Sequence, residues 1–224
     1  MDSRSDEPEL HFSAMGEAAL LCQTATAGLD LSEQERFWAL ADDIEREPGV
    51  REVVPGMNNL LVMFDPLNAD PRALAALLTD RWASGKARAV AGKIVEVPVS
   101  YGGGDGEDLN WIAERAGLSV EEFVSLHAAG DYTVYALGSQ PGFAYLGGLD
   151  MRLATPRRET PRPRVEAGSV IIGGAQAGVL SRTTPSGWHI IGRTELEFFN
   201  PEEAEPTLLL PGDKLWFVVK EIKA

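Results

Sequence analysis

From Asp131 to the C-terminus, glycine and proline interrupt the chain so often that only short β-type runs fit between them. The runs read YTVYAL, SVIIGG, WHIIG, LEFF and KLWFVVKEI, and Ala167-Gly168, Pro185-Ser186-Gly187 and Pro211-Gly212 mark turns between them. Many short strands at such spacing predict a closed or sandwiched all-β domain. One stretch is odd for a loop. GSQPGFAYLGGL, residues 138–149, has no charged side chain, too much glycine and proline for a helix, and too much apolar surface for an ordinary exposed turn.

The first part of the chain alternates instead. AALLCQTA (18–25) reads as a strand. A helix follows, with Ser32 as N-cap and Glu35 three residues on as a capping box, and with Phe37, Leu40, Ala41 and Ile44 on one face. Pro48-Gly49 ends it. VREVVP and NLLVMF flank the turn-rich PGMNN and read as two strands. Asp70 caps a second helix with Pro71 at its first position; Leu74, Leu77, Leu78 and Trp82 line its inner face, and Gly85 stops it. KIVEVPVSY (93–101) closes the series as a last strand. The order βαββαβ predicts a ferredoxin-like α+β domain over residues 1–93, with the β-rich domain over 94–224. Two short helices, EDLNWIAERAGL and SVEEFVSLHAAG, bridge to the β-rich part, the second with a Ser119/Glu122 capping box.

Charge and composition narrow the function. Apolar residues make up 44% of the 224, enough for a buried core. Net charge is −14, which argues against nucleic acid and anionic lipid as partners. There is no apolar run long enough for a membrane helix, and MDSRSDEPEL is no secretory signal. The one cysteine, Cys22, sits in an apolar run and reads as a buried strand residue. The expectation is a cytoplasmic protein.

Several familiar constellations are absent from the sequence. YGGGDGEDL is glycine-rich, but no Gly-Lys-Ser/Thr follows and the Gly-x-Gly-x-x-Gly spacing is not met. There is no Gly-x-Ser-x-Gly elbow, no His-Glu-x-x-His, and no Cys/His cluster to hold zinc. What remains is a set of glycine- and proline-framed loops with polar tips. GSQPGFAYLGGL is one. TPRRETPRPR carries Arg157, Arg158, Arg162 and Arg164, GGAQAGV carries Gln176, and TTPSGWHIIGRT carries Trp188, His189 and Arg193. Arginine grips carboxylate or phosphate in a two-pronged fork, so a small anion at the mouth of a β-barrel fits such loops. Each residue has a plainer reading as well. The arginine run is equally a solvated loop, Trp188 a core residue, His127 a cation at a helix C-terminus, and His189 a solvent-facing strand residue.

Taken in order, VPVSYGG, LHAAGDYTVYALG, PGFAYLGGL, TPRRETPRPRVEAGSVIIGGAQAGV, TPSGWHIIGRT and LLPGDKLWF resemble the family of 5-oxoprolinase B subunits, also called the KipI or allophanate hydrolase subunit 1 family. The resemblance runs nearly end to end. It implies a small α+β domain followed by a cyclophilin-like β-barrel. It also implies a partner-dependent enzyme: with the A and C subunits, the assembly opens 5-oxo-L-proline to L-glutamate with ATP as co-substrate, and no metal site is expected in this chain. Guided by the family, the polar groups expected to act are His127, Tyr145, Gln176 and Arg193. Arg162 or Arg164 is the expected anion binder, and Pro141, Gly142, Phe143 and Trp188 frame the substrate cleft. This chain departs from the family pattern at Ser139, Ala177, Leu180, Ser181 and Ser186, all within these loops. The resemblance also implies two alternatives: a carboxyltransferase-type component of a biotin-dependent urea carboxylase, and a non-enzymatic histidine-kinase inhibitor.

Overall fold

The computed structural model describes residues 8–26, 28–84 and 92–223. The chain divides into two compact units, Met1–Val90 and Ala91–Ala224. No helix among the described residues is long and apolar enough to cross a membrane.

The first unit runs β1 (His11–Ala14), β2 (Ala19–Gln23), α1 (Leu31–Ile44), β3 (Val50–Pro55), β4 (Asn59–Phe64) and α2 (Pro71–Ala83). The sheet order is β1-β2-β4-β3. Strand β4 lies antiparallel to both β2 and β3, so β2-α1-β3 forms a split βαβ around it. Asp30 caps α1, accepting from the Glu33 amide at 2.8 Å; the Ser32/Glu35 capping box expected from the sequence is not the one used. Asp70 caps α2 as expected, with Pro71 in the first turn. The Gly85 stop lies outside the described residues. Phe37, Leu40 and Ile44 of α1 and Leu74, Leu78 and Trp82 of α2 pack on Cys22, Leu60, Val62 and Phe64 of the sheet.

The βαββαβ order needs correction. The expected last strand, β5 (Ile94–Gly102), leaves this sheet and joins the second unit. The edge beside β2, where a ferredoxin-like sheet puts its final strand, is taken by β1 from the N-terminal side. The unit therefore runs ββαββα. The reason is partnership. Val97, Val99 and Tyr101 of β5 are fully buried at alternate positions, and they find their core beside the C-terminal strand.

The second unit continues with α3 (Leu109–Ala116), α4 (Val120–Ala128), β6 (Tyr132–Leu137), β7 (Ala144–Gly147), β8 (Arg162–Val165), β9 (Ser169–Gly173), β10 (Gln176–Val179), β11 (Thr184–Ser186), β12 (His189–Arg193) and β13 (Lys214–Lys223). Seven strands close into a barrel in the order β10-β7-β6-β13-β5-β12-β9, and β8 and β11 form a separate ribbon. Strands β5 and β13 pair in parallel, with Val97 opposite Phe217 and Val99 opposite Val219. Val97, Tyr101, Tyr132, Leu146, Ile172 and Ile191 belong to the buried cluster of the barrel. The LEFF run forms no strand; Phe199 makes only an isolated bridge to Thr207. The Ser119/Glu122 capping box of α4 is present in both directions, at 2.8 and 3.2 Å.

His127 of α4 belongs to this core. It is fully buried, its Nδ1 lies 2.9 Å from the Tyr101 hydroxyl, and its ring centroid is 4.6 Å from that of Phe217. Burial pushes its pKa down to about 3. An unfolded histidine takes up its proton near pH 6.5, so between about pH 6.5 and pH 3 the unfolded state holds one proton more than the folded state. His127 therefore makes stability fall as pH falls through that window. Urea denaturation from pH 7 to pH 5 should show this decline, with a limiting slope of about 1.4 kcal/mol per pH unit from this group. His127→Gln should flatten the slope; an unchanged slope would show that the histidine is not buried as a neutral ring.

Candidate active site

The anchor of the site is Asp108, the residue before α3. Its carboxylate makes no cap bond to its own helix. Instead it reaches across to the arginine loop and to β12. Arg162 grips it with both prongs, Nη1 to Oδ2 and Nη2 to Oδ1, each at 2.8 Å. Arg158 donates to Oδ1 at 3.2 Å, and the Ile190 amide donates to Oδ2 at 2.8 Å. The Asp108 amide returns a bond to the Ile190 carbonyl at 3.0 Å. Burial opposes ionisation of Asp108, but the Arg162 fork and the Ile190 amide outweigh it and hold the carboxyl below its ordinary range. The fork raises the Arg162 pKa in turn.

His189 stands beside this carboxylate, with Nδ1 3.9 Å from Asp108 Oδ2. Its Nε2 lies 3.0 Å from the Pro156 carbonyl. A carbonyl only accepts, so Nε2 carries a proton, while the buried Nδ1 has no hydrogen-bond partner among the described residues. Burial lowers the His189 pKa, against the pull of the Pro156 carbonyl and Asp108. Trp111 of α3 stacks on this ring, with centroids 5.0 Å apart and planes 20° off parallel, and stays half exposed. Around them opens a cavity of about 710 Å³, which Arg115, Arg157 and Arg158 also line.

A second cavity of about 280 Å³ adjoins it and shares Arg157 and Arg158. Its floor is aromatic. Phe143 and Tyr145 meet edge to face at 5.0 Å, and Phe143 meets Trp188 at 5.9 Å. These rings pack with Val165, Ile171, Leu180 and Ile190 in a cluster separate from the barrel interior. Strand β9 explains the separation: Val170 and Ile172 face the barrel interior and Ile171 faces the aromatic cluster, so both faces are buried and the run SVIIG has no polar alternation. The cleft thus lies on the outer wall of the barrel. The sequence places such loops at a barrel mouth; the two cavities lie beside the aromatic cluster, and side chains of the barrel cluster fill the interior.

Glycine makes this wall possible. A Cβ on Gly173 would lie 2.5 Å from the Trp188 indole, so only glycine lets the ring lie flat there. Gly142 turns GSQPGFAYLGGL at φ +74°, with the Phe198 carbonyl 2.7 Å from where a Cβ would be. The Ser181 hydroxyl holds the same turn by donating to the Pro141 carbonyl at 2.6 Å. The uncharged stretch is therefore the hairpin that carries Phe143 and Tyr145 onto the outer wall.

The sequence-derived residues scatter accordingly. Phe143, Tyr145 and Trp188 come together in the smaller cavity; Pro141 and Gly142 shape the turn beneath it without lining either cavity. Arg162 is close by, but its fork is occupied by Asp108. Arg164 points to solvent and pairs with Glu166 at 2.7 Å. Gln176 at the start of β10, Arg193 at the end of β12 and His127 in the core line neither cavity. The arginines that face the cleft are Arg157 and Arg158, with Arg157 5.5 Å above the Trp188 ring. Asp108 and Trp111 were missed. Their one sequence signal was an acidic residue just ahead of an amphipathic helix, which reads as a plain helix cap.

The Asp108 network carries a stability prediction. Asp108→Ala leaves Arg162 and the Ile190 amide without their acceptor in a largely buried place. It should cost about 3 kcal/mol, the low end for a broken buried pair, because Arg162 keeps some contact with solvent. Arg164→Ala removes only an exposed pair and should cost well under 1 kcal/mol. Urea denaturation of the two variants measures the contrast, and equal costs would contradict it.

Comparison with known proteins agrees with this architecture. The family model described as "Carboxyltransferase domain, subdomain C and D" matches residues 10–209. The 5-oxoprolinase B subunit of Escherichia coli O157:H7 is 43% identical over 208 residues, covering 91% of this chain and 93% of that protein. The 5-oxoprolinase B subunit of Haemophilus influenzae is 41% identical over 214 residues, covering 96% of this chain and all of that one. The crystal structure of the Kluyveromyces lactis urea amidolyase superimposes on 98% of this chain with a TM-score of 0.83. That match spans 15% of the larger protein at 20% identity, and it speaks for the fold alone. With a family model over most of its length and relatives above 40% identity almost end to end, the chain belongs to the carboxyltransferase subdomain C and D family and groups with the 5-oxoprolinase B subunits.

Proposed function

We propose that this chain is the B subunit of an ATP-dependent 5-oxoprolinase, which acts with the A and C subunits to convert 5-oxo-L-proline to L-glutamate. The observation that carries the reading is identity of 41–43% over nearly the whole chain with proteins named as 5-oxoprolinase B subunits. The chemistry asks for specific groups. An unstrained lactam is a poor electrophile. Transfer of a phosphoryl group from ATP to the lactam oxygen expels ADP and makes that oxygen a leaving group. Water then adds to the same carbon, the ring C–N bond breaks as the nitrogen takes up a proton to leave a γ-glutamyl phosphate, and a second water displaces phosphate from that acyl phosphate to give glutamate.

The smaller cavity suits this substrate. Its aromatic floor of Phe143, Tyr145 and Trp188 matches the flat apolar side of a five-membered ring. Arg157 and Arg158 at its edge match the carboxylate. Arg158 is already oriented by Asp108, so little freedom is lost when the anion binds. In this reading Arg157 takes the role first expected of Arg162 or Arg164.

The test is ATP-dependent glutamate release from 5-oxoproline by this chain mixed with its A and C partners, each omitted in turn. Glutamate should form only when all three are present. Within that complex, Arg157→Ala should raise KM for 5-oxoproline tenfold or more, the scale of one lost charge-assisted hydrogen bond. A complex that assembles but releases no glutamate would overturn the function. An unchanged KM would overturn the assignment of Arg157.

A further inference from the structure

The larger cavity is too big for a lactam. At about 710 Å³ it falls in the range of roughly 300–1,000 Å³ typical of pockets that enclose a drug-sized ligand. Its lining is also cationic in a chain of net charge −14. Arg115 and Arg157 line it without a carboxylate partner among the described residues. Arg158 carries a buried Nε–H that has no hydrogen-bond acceptor among them. Glu159 is the one acid of the lining outside the Asp108 network. Three guanidinium groups converging on one space favour an anion with several oxygens, which is the chemistry of a phosphate chain.

Trp111 adds a second requirement. Its indole is backed by His189, stands under Arg115 at 5.8 Å, and is still 51% exposed at the cavity wall. A tryptophan held in orientation but left open to a cavity is a platform for a flat ring. A flat ring joined to a phosphate chain is a nucleotide. A nucleic-acid strand is disfavoured by the overall negative charge.

We propose that this cavity binds a purine nucleoside di- or triphosphate, with the base on Trp111 and the phosphates on Arg115, Arg157 and Arg158. The inference deepens the proposed function and rests on it for the role of the nucleotide as phosphoryl donor. Because Arg157 and Arg158 line both cavities, the terminal phosphate would lie beside the lactam pocket.

The experiment titrates ADP, ATP, inorganic phosphate and 5-oxoproline separately into the full chain, read by calorimetry and by tryptophan fluorescence. ADP and ATP should bind, and more tightly than inorganic phosphate. Trp111→Ala and Arg115→Ala should each weaken ADP about tenfold or more, the scale of one lost stacking or phosphate contact. Thermal melting keeps the test clean: both residues are exposed, so both variants should melt close to the parent chain. Arg115→Lys should recover part of the binding. Failure of millimolar ADP and ATP to bind would overturn the proposal. So would binding untouched by either substitution, or inorganic phosphate binding as tightly as ADP. Glutamate release by the assembled complex without nucleotide binding to this chain would leave the proposed function standing and remove this inference alone.

Discussion

The Asp108 carboxylate is the constraint on which the cleft depends. It joins three segments that are far apart in sequence: the start of α3, the arginine loop and strand β12. Each would otherwise have its own freedom. The two hydrogen bonds between Asp108 and Ile190, one in each direction, fix α3 against the barrel, and so fix Trp111 against His189. The Arg162 fork pins the loop at one end, and the Arg158 amide, bonded to the Gly187 carbonyl at 2.8 Å, pins it in the middle. Arg157 and Arg158 are then left facing the two cavities. A buried ion pair adds little net stability over a well-packed apolar substitute. Its value here lies in position.

The barrel supplies the second half of the arrangement. Its interior is filled, so chemistry must sit on a wall or at an edge. Strands β9 and β12 are buried on both faces, and glycines opposite the rings let Phe143 and Trp188 lie close against the backbone. The result is an aromatic layer outside the barrel, edged by cations. Such a surface suits a small ring with a charged group, because apolar area supplies affinity and the forks supply orientation.

Much of this was legible in the sequence, and what was not has physical causes. Asp70, Ser119 and the runs VREVVP, NLLVMF and YTVYAL announce their elements through local rules, and the structure has them there. Strand β5 announces itself too, since Val97, Val99 and Tyr101 alternate. Its destination does not, because the parallel partner β13 lies over a hundred residues away and a two-residue period names no partner. Strand β1 is short and mostly exposed, so it left no apolar pattern to read. Within TPRRETPRPR the four arginines looked alike. Which of them face the cleft depends on Asp108, whose contacts are all long-range. Family resemblance reached Phe143, Tyr145 and Trp188 because they sit in ordered motifs; it pointed to His127, which the fold keeps in the core.

The proposed function puts 5-oxo-L-proline on the outer wall of this barrel. The most direct measurement is a structure of the assembled complex with 5-oxo-L-proline bound. The lactam ring should lie on Phe143, Tyr145 and Trp188, with its carboxylate on Arg157 and Arg158. A lactam bound wholly within a partner protein, with this cleft covered or distant, would contradict it.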